Sequence, residues 1–219
     1  MSKCRESLAD PEWRSQQPVL AAGLAQMNIE LSRERQEMLL DYLALLQRWN
    51  RAYSLTAVTQ PTEMVARHLL DSLSLLPFLR GRLFVDAGSG GGLPGVPLAI
   101  ARPDWRVILL DSNGKKIRFL RQVRRELALA NIEPVQDRLE TYRPESPPDA
   151  IITRALAPLD RLVRWAKFWL EQGIPLIAMK SDRVETEIRD VPQPYNVRLE
   201  ELSIPGLRAR RCLATVEKQ

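Results

Sequence analysis

The sequence predicts an α/β protein with a mostly parallel sheet, an antiparallel closing strand and a helical extension at its N-terminus. Two observations predict this fold class. Short apolar runs alternate with amphipathic helical patterns from residue 82 onward, and only helical patterns precede that residue. Such alternation is typical of βαβ units in a parallel sheet that helices cover on both faces. We therefore expect a loose tail at residues 1–18, the helical extension at 19–81 and the main α/β domain at 82–219.

Helical periodicity predicts the elements of the extension. Residues 32–50 carry apolar side chains at helical spacing, and Ser32 suits the N-cap position before them. Pro61 suits the first turn of a second helix, which we expect to continue through Leu70.

Short apolar runs and the helical patterns between them predict the main domain. We expect its parallel strands at residues 83–87, 106–111, 134–136, 150–153 and 174–178. We expect its helices at residues 96–101, 115–130 and 159–170. Two further runs, 196–203 and 208–216, lie on either side of Pro205-Gly206 and predict the closing hairpin.

Composition narrows the classes of partner. The 219 residues carry a formal net charge of +5, which permits an anionic partner without proving one. No apolar run approaches the ~20 residues that cross a bilayer, and the N-terminus lacks the apolar segment of a signal peptide. Two cysteines and one histidine make a disulfide framework or a His-ligated metal site improbable. We expect a cytoplasmic monomer with no membrane partner and no metal.

A glycine-rich loop is the strongest local signal. The run Asp86-Ala87-Gly88-Ser89-Gly90-Gly91-Gly92-Leu93-Pro94-Gly95 follows a predicted strand and opens a predicted helix. Glycines there let the backbone turn sharply and approach a ligand closely. Asp111 ends the next strand, about 20 residues on, where a carboxylate can accept both ribose hydroxyls of an adenosine cofactor.

Two cofactor classes fit this loop. Gly90, Gly92 and Gly95 match the spacing G-x-G-x-x-G, which keeps a dinucleotide possible. However, Asp86 precedes the glycines, where its carboxylate would repel a diphosphate and suits a cationic amino-acid group. S-adenosyl-L-methionine has such a group and no phosphate, so the loop favours it. A glycine turn without a ligand is the third alternative.

Several segments together resemble one family. They have the same order and spacing as segments of the glucose-inhibited division protein B family, bacterial methyltransferases of small-subunit ribosomal RNA. The segments are Trp49-Asn50-Arg51-Ala52-Tyr53-Ser54-Leu55-Thr56, Arg67-His68-Leu69-Leu70-Asp71-Ser72, the loop at 86–97, Leu110-Asp111-Ser112 with Lys115-Lys116, Phe119-Leu120-Arg121-Gln122-Val123, Thr153-Arg154-Ala155 and Met179-Lys180. The resemblance spans roughly residues 28–216.

The resemblance implies a fold, a reaction and a set of contacts. The fold is a Rossmann-like sheet of an S-adenosylmethionine-dependent methyltransferase. The reaction is methylation of guanine N7 in the decoding-region loop of 16S ribosomal RNA, so the partner is 16S rRNA or the small subunit. Gly88 and Leu93 would lie against the methionine part of the cofactor, and Leu139 and Glu140 beside its adenine. With Asp86, Gly90 and Asp111, they make up the expected cofactor site, together with Arg154.

The remaining candidates concern RNA. By resemblance, Arg138 and Lys180 match basic positions implicated in RNA contact. The basic run after Asp111 is either a phosphate-binding surface or a solvated helix face; it comprises Lys115, Lys116, Arg118, Arg121, Arg124 and Arg125.

Arg154 is the candidate catalytic residue, because a charge after an apolar strand is costly unless it has a partner. Guanine N7 has a lone pair and no proton, so the reaction needs alignment and no general base. Two alternatives stay open at this point: a non-catalytic RNA-binding ribosome assembly factor and an NAD-binding oxidoreductase.

Overall fold

The computed structural model describes residues 11–219, in which seven strands form one sheet with helices on both faces. The strands are β1 Leu83–Ala87, β2 Arg106–Leu110, β3 Ile132–Val135, β4 Ala150–Arg154, β5 Leu176–Lys180, β6 Tyr195–Leu202 and β7 Arg211–Lys218. The first five are parallel, whereas β7 runs antiparallel to β5 and β6 pairs with β7. The mostly parallel sheet and its closing hairpin are therefore confirmed.

The strand order places a crevice beside the glycine-rich loop. The order is β3-β2-β1-β4-β5-β7-β6, so β1 lies between β2 on one side and β4 on the other. The chain continues from β1 to β2 and β3 on one side and then returns to β4 on the other, and ligands of open α/β sheets bind outside the carboxyl ends of the strands at such a reversal. In register, Ala87 at the end of β1 pairs with Leu110 of β2 and Thr153 of β4.

Nine α-helices within residues 11–219 complete the fold. They are α1 Pro11–Arg14, α2 Gln17–Gln26, α3 Arg33–Tyr53, α4 Pro61–Met64, α5 Asp71–Leu73, α6 Gly95–Ala101, α7 Gly114–Glu126, α8 Leu159–Leu170 and α9 Val184–Arg189. A π-helical segment, Val65–Leu70, joins α4 to α5 without a break. Ser32 caps α3 as predicted, because its hydroxyl accepts a hydrogen bond from the Arg35 backbone N–H.

The tail prediction is wrong for residues 11–18. Residues 11–14 form α1, residues 17 and 18 begin α2, and Trp13 is 1% exposed. Its indole Nε1 donates to Gln47 Oε1 of α3, 3.2 Å away. Burial of this large aromatic side chain fixes the segment against α3. The rest of the predicted tail, residues 1–10 with Cys4, lies outside the described residues, and the division into domains stays a prediction.

Element boundaries differ from the prediction where local geometry intervenes. Helix α7 ends at Glu126, four residues early, because the chain turns through Ala128 at a positive φ of 49°. Helix α2 was not predicted, because Gly23 stands at a packed position where the helical pattern would need an apolar side chain. A Cβ at Gly23 would lie 2.4 Å from Leu70 Cδ1, so a small residue permits this close packing without adding to the apolar pattern. Helix α9 was also not predicted.

The extension and the sheet share one hydrophobic core. Leu43 and Leu46 of α3 belong to the same buried cluster as Leu120 and Val123 of α7. The hydroxyl of Tyr42 crosses from α3 to the glycine-rich loop and donates to the Gly91 carbonyl at 2.6 Å. The extension therefore supports the loop that borders the crevice.

Candidate active site

The glycine-rich loop wraps around the end of β2. Gly88 N donates to the Leu110 carbonyl at 2.8 Å, and Gly90 N donates to Asp111 Oδ2 at 3.0 Å. Gly88 and Gly90 have φ angles of +71° and +57°, which L-residues with side chains seldom adopt. A Cβ at Gly88 would also lie 2.5 Å from Leu156 Cδ1. The positive φ angles therefore favour glycine at both positions, and a side chain at position 88 would also displace the tip of Leu156.

Asp111 faces a cavity of about 460 Å³, the first cavity, lined among others by Gly88, Asp111, Leu139, Glu140, Leu156 and Trp165. Asp111 is 7% exposed. Its Oδ1 accepts from Asn113 N at 2.8 Å and its Oδ2 lies 3.4 Å from Lys116 Nζ. Each carboxylate oxygen thus has at least one hydrogen-bond partner and keeps lone-pair capacity for a ligand hydroxyl.

The structure brings four of the predicted cofactor residues together. Gly88, Asp111, Leu139 and Glu140 all line the first cavity, and Gly90 is hydrogen-bonded to Asp111. Leu139 and Glu140 follow β3 in the chain and line the first cavity, where the resemblance places them beside the adenine.

Leu93 and Asp86 lie deeper than expected. Leu93 is 7% exposed and belongs to the core shared with the extension. Asp86 is fully buried, and its Oδ2 accepts from Gly95 N at 2.9 Å, at the start of α6. Neither residue lines the first cavity, so their contact with a cofactor stays a prediction.

The second oxygen of Asp86 is unusual. Within residues 11–219, Oδ1 of Asp86 is buried and has no hydrogen-bond partner. Burial raises the pKa of this carboxyl to about 7, although the Gly95 N–H and the positive charge of Arg154 act in the opposite direction. A cationic group that reached this oxygen would satisfy it and favour the carboxylate.

The charge of the first cavity discriminates between ligand classes. Its lining includes the carboxylates of Asp111, Asp137 and Glu140 and the cations of Lys116 and Arg138, a balance of −1. A negative lining attracts a cationic ligand and repels a diphosphate. The first cavity therefore fits a phosphate-free adenosine compound better than a dinucleotide.

Arg154 lies in a neighbouring cavity of about 450 Å³, the second cavity, instead of the first. Its Nη1 donates to Asp71 Oδ2 at 2.9 Å and to the Arg67 carbonyl at 2.8 Å. The two cavities share Ala155 and Leu156 of the loop after β4. Arg154 is therefore one loop away from the first cavity, and its cofactor contact stays a prediction.

Lys180 does not lie on the open surface as a free cation. Its side chain is 9% exposed, and Nζ donates to the Ala157 carbonyl at 2.6 Å and pairs with Glu187 at 2.7 Å. It belongs to the wall of the second cavity. The ammonium group of Lys180 is therefore already bound by partners within the protein. An RNA contact of Lys180 stays a prediction.

Most of the basic run lies on the outer face of α7. Within the described chain, no carboxylate lies within ion-pair distance of four exposed cations of this run, Lys115, Arg118, Arg121 and Arg124. Lys116 instead turns toward Asp111 in the first cavity, and Arg138 lines the same cavity. The face formed by Lys115, Arg118, Arg121 and Arg124 is called the α7 face below.

His68 is buried on the π-helical segment. Its Nε2 lies 2.9 Å from Thr56 Oγ1, and its Nδ1 has no partner within residues 11–219. Burial, reinforced by the charge of Arg154, lowers its pKa to about 4. The imidazole is therefore neutral at neutral pH, and it links the π-helical segment to the loop that follows α3.

Three site residues were not predicted: Asp71 and Arg211 of the second cavity and Trp165 of the first. Asp71 Oδ1 accepts from Arg211 Nε at 3.1 Å across 140 residues of chain. One indication for Asp71 was present in the sequence, a charged residue among the apolar residues of a helical segment. There was none for Arg211, because an arginine at the start of a strand is common on protein surfaces.

The described part of the chain lacks two features that would indicate other functions. No helix there is both long and apolar enough to span a bilayer. Residues 11–219 contain no group of three or more His, Cys, Asp or Glu side chains placed to hold a metal ion.

Solved structures support the fold. MtNAS in complex with MTA and tNA aligns with a TM-score of 0.56 at 16% identity, covering 98% of this chain and 85% of that one. A SAM dependent methyltransferase from Aquifex aeolicus aligns with a TM-score of 0.52 at 16% identity, covering 72% and 93%. At this identity the likeness concerns the fold alone, and it confirms a Rossmann-like methyltransferase architecture.

Sequence comparisons identify the family. Ribosomal RNA small subunit methyltransferase G of Pseudomonas aeruginosa (strain LESB58) is 47% identical over 201 residues, 91% of this chain and 94% of that protein. The protein of the same name from Legionella pneumophila (strain Philadelphia 1) is 42% identical over 198 residues, covering 90% and 93%. The model of the glucose-inhibited division protein B family, described as rRNA small subunit methyltransferase G, matches residues 35–214. This chain therefore belongs to the rRNA small subunit methyltransferase G family.

Proposed function

We propose that this chain transfers the methyl group of S-adenosyl-L-methionine to N7 of a guanosine in the decoding-region loop of 16S rRNA. Membership of the family supports the general part, an S-adenosylmethionine-dependent methyltransferase of small-subunit rRNA. The observation that carries the donor assignment is Asp111, a carboxylate hydrogen-bonded to the glycine-rich loop in a cavity of negative balance.

The residues of the first cavity fit this donor. Asp111 would accept the ribose hydroxyls, and the apolar surfaces of Leu139 and Trp165 would flank the adenine. Asp86 lies behind this cavity and does not line it; its buried Oδ1, which has no hydrogen-bond partner within residues 11–219, would attract the donor's amino group through its negative charge. When bound, S-adenosylmethionine supplies a methyl group on a positively charged sulfur, which a nucleophile can attack directly.

The second cavity would receive the target nucleotide. Its lining carries Arg154, Lys180 and Arg211 against Asp71 and Glu187, a balance of +1 opposite to that of the first cavity. A positive lining attracts the electron-rich groups of RNA. Because the cavities share a loop, a base in the second lies next to a donor in the first.

The chemistry requires alignment instead of proton removal. Guanine N7 attacks through a lone pair and carries no proton, so no general base is needed. His68, the one histidine of the sequence, is buried, neutral at neutral pH and bonded to Thr56, which agrees with a supporting role. Alignment of reacting groups can supply ~7–11 kcal/mol of the barrier reduction.

The α7 face would bind the phosphates of the rRNA outside the reacting nucleotide. Lys115, Arg118, Arg121 and Arg124 are exposed and have no carboxylate within ion-pair distance among residues 11–219, so their cationic groups suit phosphate oxygens. We propose that the chain acts as a monomer in the cytoplasm, where small subunits are assembled.

A methylation assay tests the proposed function. The purified chain is incubated with methyl-labelled S-adenosylmethionine and one of three RNAs from an unmethylated strain: naked 16S rRNA, small subunits or large subunits. The expected result is label recovered as 7-methylguanosine from a single position in the decoding-region loop, and none from large subunits. Label in another nucleoside would overturn the N7 assignment. Binding of rRNA without methylation would favour an assembly factor instead.

A further inference from the structure

Asp71 joins three distant parts of the chain at the second cavity. It begins α5 in the extension, and its side chain is 2% exposed. Its Oδ2 pairs with Arg154 at the end of β4, 2.9 Å away, and its Oδ1 pairs with Arg211 at the start of β7, 3.1 Å away. One buried carboxylate thus holds two guanidinium groups.

The two arginines need a partner of this kind. Their like charges repel each other at short range, and each side chain has many rotamers to lose on ordering. A carboxylate between them offsets the repulsion and fixes both geometries, because each oxygen takes one guanidinium. Without Asp71, each arginine would keep only one of its hydrogen bonds within the described chain. Arg154 would keep the bond to the Arg67 carbonyl, and Arg211 would keep the bond to the Arg210 carbonyl.

The fixed arginines keep donors available. A guanidinium has five N–H donors. Arg154 uses only Nη1 within the described chain, and Arg211 uses Nε and Nη1. Their side chains are 19% and 22% exposed, and both line the second cavity. The remaining N–H groups can therefore donate to a ligand that enters there.

We propose that Asp71 is a positioning residue that orients Arg154 and Arg211 toward acceptor oxygens of the target nucleotide. This inference rests on the proposed function, because it assigns the second cavity to the RNA. Because each carboxylate oxygen of Asp71 already accepts from one guanidinium, we assign it no contact with a reacting group. It belongs to the extension, so the extension contributes directly to the geometry of the second cavity.

The substitution Asp71→Asn tests this proposal with three measurements: steady-state methylation of small subunits, calorimetric binding of S-adenosylmethionine and thermal unfolding. We expect kcat to fall on the order of 10- to 100-fold, the scale of a small misplacement of aligned groups. We expect the Kd for S-adenosylmethionine to stay within twofold, because Asp71 does not line the first cavity. Wild-type kcat and KM in this variant would overturn the proposal.

Asp149→Asn is the matched control for a stability effect. Asp149 Oδ2 accepts from the backbone N–H groups of Arg82 and Leu83, at the opposite end of β1 from the site. This variant should lower the melting temperature without changing kcat. If kcat falls in both variants, and by an amount that follows the decrease in melting temperature of each, Asp71 has only a structural role and the proposal is overturned.

Two further variants cover the case in which Asp71→Asn fails to fold. Asp71→Glu restores a carboxylate and should recover kcat partly. Arg211→Lys keeps the charge but loses the planar fork, so it should lower kcat in a folded protein; wild-type kcat there would contradict the proposal. The salt dependence of KM in Arg211→Gln, which removes the charge, separates the contacts: a shallower slope than in the wild type assigns a phosphate oxygen, and an unchanged slope assigns a base oxygen. A wild-type chain that methylates no rRNA would instead overturn the proposed function.

Discussion

At the scale of single residues, Asp111 combines the properties of a ribose-binding acid. It is nearly buried, it is anchored by the backbone N–H groups of Gly90 and Asn113, and it faces the first cavity. These bonds orient the carboxylate before a ligand arrives, so little ordering is left to binding.

The substitution Asp111→Ala should weaken the binding of S-adenosylmethionine by roughly 1–3 kcal/mol, the scale of hydrogen bonds to a charged group. Isothermal titration calorimetry measures this change directly. Asp104→Ala is the control, because Asp104 is an exposed aspartate paired with Arg102 away from the site. Equal affinities of the wild type and Asp111→Ala would show that Asp111 has a structural role only.

His68 makes stability depend on pH. Its pKa is about 4 in the folded protein and about 6.5 in the unfolded chain, so the unfolded chain binds more protons between these values. The free energy of unfolding should therefore fall as pH decreases from 6.5 to 4, by up to about 3 kcal/mol from this group. The opposite shift of Asp86 acts equally in the wild type and in a His68 variant.

Urea unfolding of the wild type and His68→Gln between pH 7.5 and 4 isolates this contribution. Glutamine can reach Thr56 but cannot gain a proton in this range. The difference between the two free energies of unfolding should change by about 3 kcal/mol over the range, in favour of the variant at low pH. A constant difference would contradict the burial of a neutral imidazole.

At the scale of elements, α7 serves both cavity and surface. Ile117, Leu120 and Val123 bury one face, Lys116 reaches the first cavity, and the α7 face remains charged and exposed. Amphipathic spacing in the sequence predicted the buried face of α7. It did not predict that Lys116 points into the first cavity, because that orientation depends on where the fold places Asp111.

The double variant Arg121→Gln/Arg124→Gln should weaken rRNA binding and raise KM for small subunits, with S-adenosylmethionine affinity unchanged. The slope of log Kd against log salt should decrease by roughly 0.7–0.9 for each lost phosphate contact. Filter binding over a range of salt concentrations measures this slope. Arg33→Gln, which removes a surface cation of α3 paired with Glu37, is the control. An unchanged slope would place the RNA elsewhere.

Element prediction from the sequence succeeded where the pattern is local. Strand β1 and helix α8 match their predicted bounds, because apolar runs and a clear amphipathic face mark them. Asp111 was found by the same local reasoning, from its place after β2. The pairing of Asp71 with Arg211 spans 140 residues and depends on the order of the strands, which no local pattern contains.

At the scale of the whole molecule, the extension and the sheet act as one unit. They share a hydrophobic core, and Tyr42 ties α3 to the glycine-rich loop through the Gly91 carbonyl. The adjoining first and second cavities carry opposite charge balances, −1 and +1, which suit a cationic donor in the first and RNA in the second under the proposed function.

The substitution Tyr42→Phe tests the connection between extension and loop. It leaves the buried Gly91 carbonyl without its partner, which should cost roughly 1–3 kcal/mol of unfolding free energy. Because the loop borders the first cavity, S-adenosylmethionine affinity should also fall several-fold. Tyr195→Phe on β6 is the control. A loss of stability with unchanged affinity would show that the loop holds its shape without the extension.

The most direct test of the central claim is a pair of calorimetric titrations of the wild-type chain, one with S-adenosylmethionine and one with NADH. The negative lining of the first cavity and the carboxylate of Asp111 within it predict saturable one-to-one binding of S-adenosylmethionine and no saturable binding of NADH. Tighter binding of NADH, or no binding of S-adenosylmethionine at millimolar concentration, would contradict it.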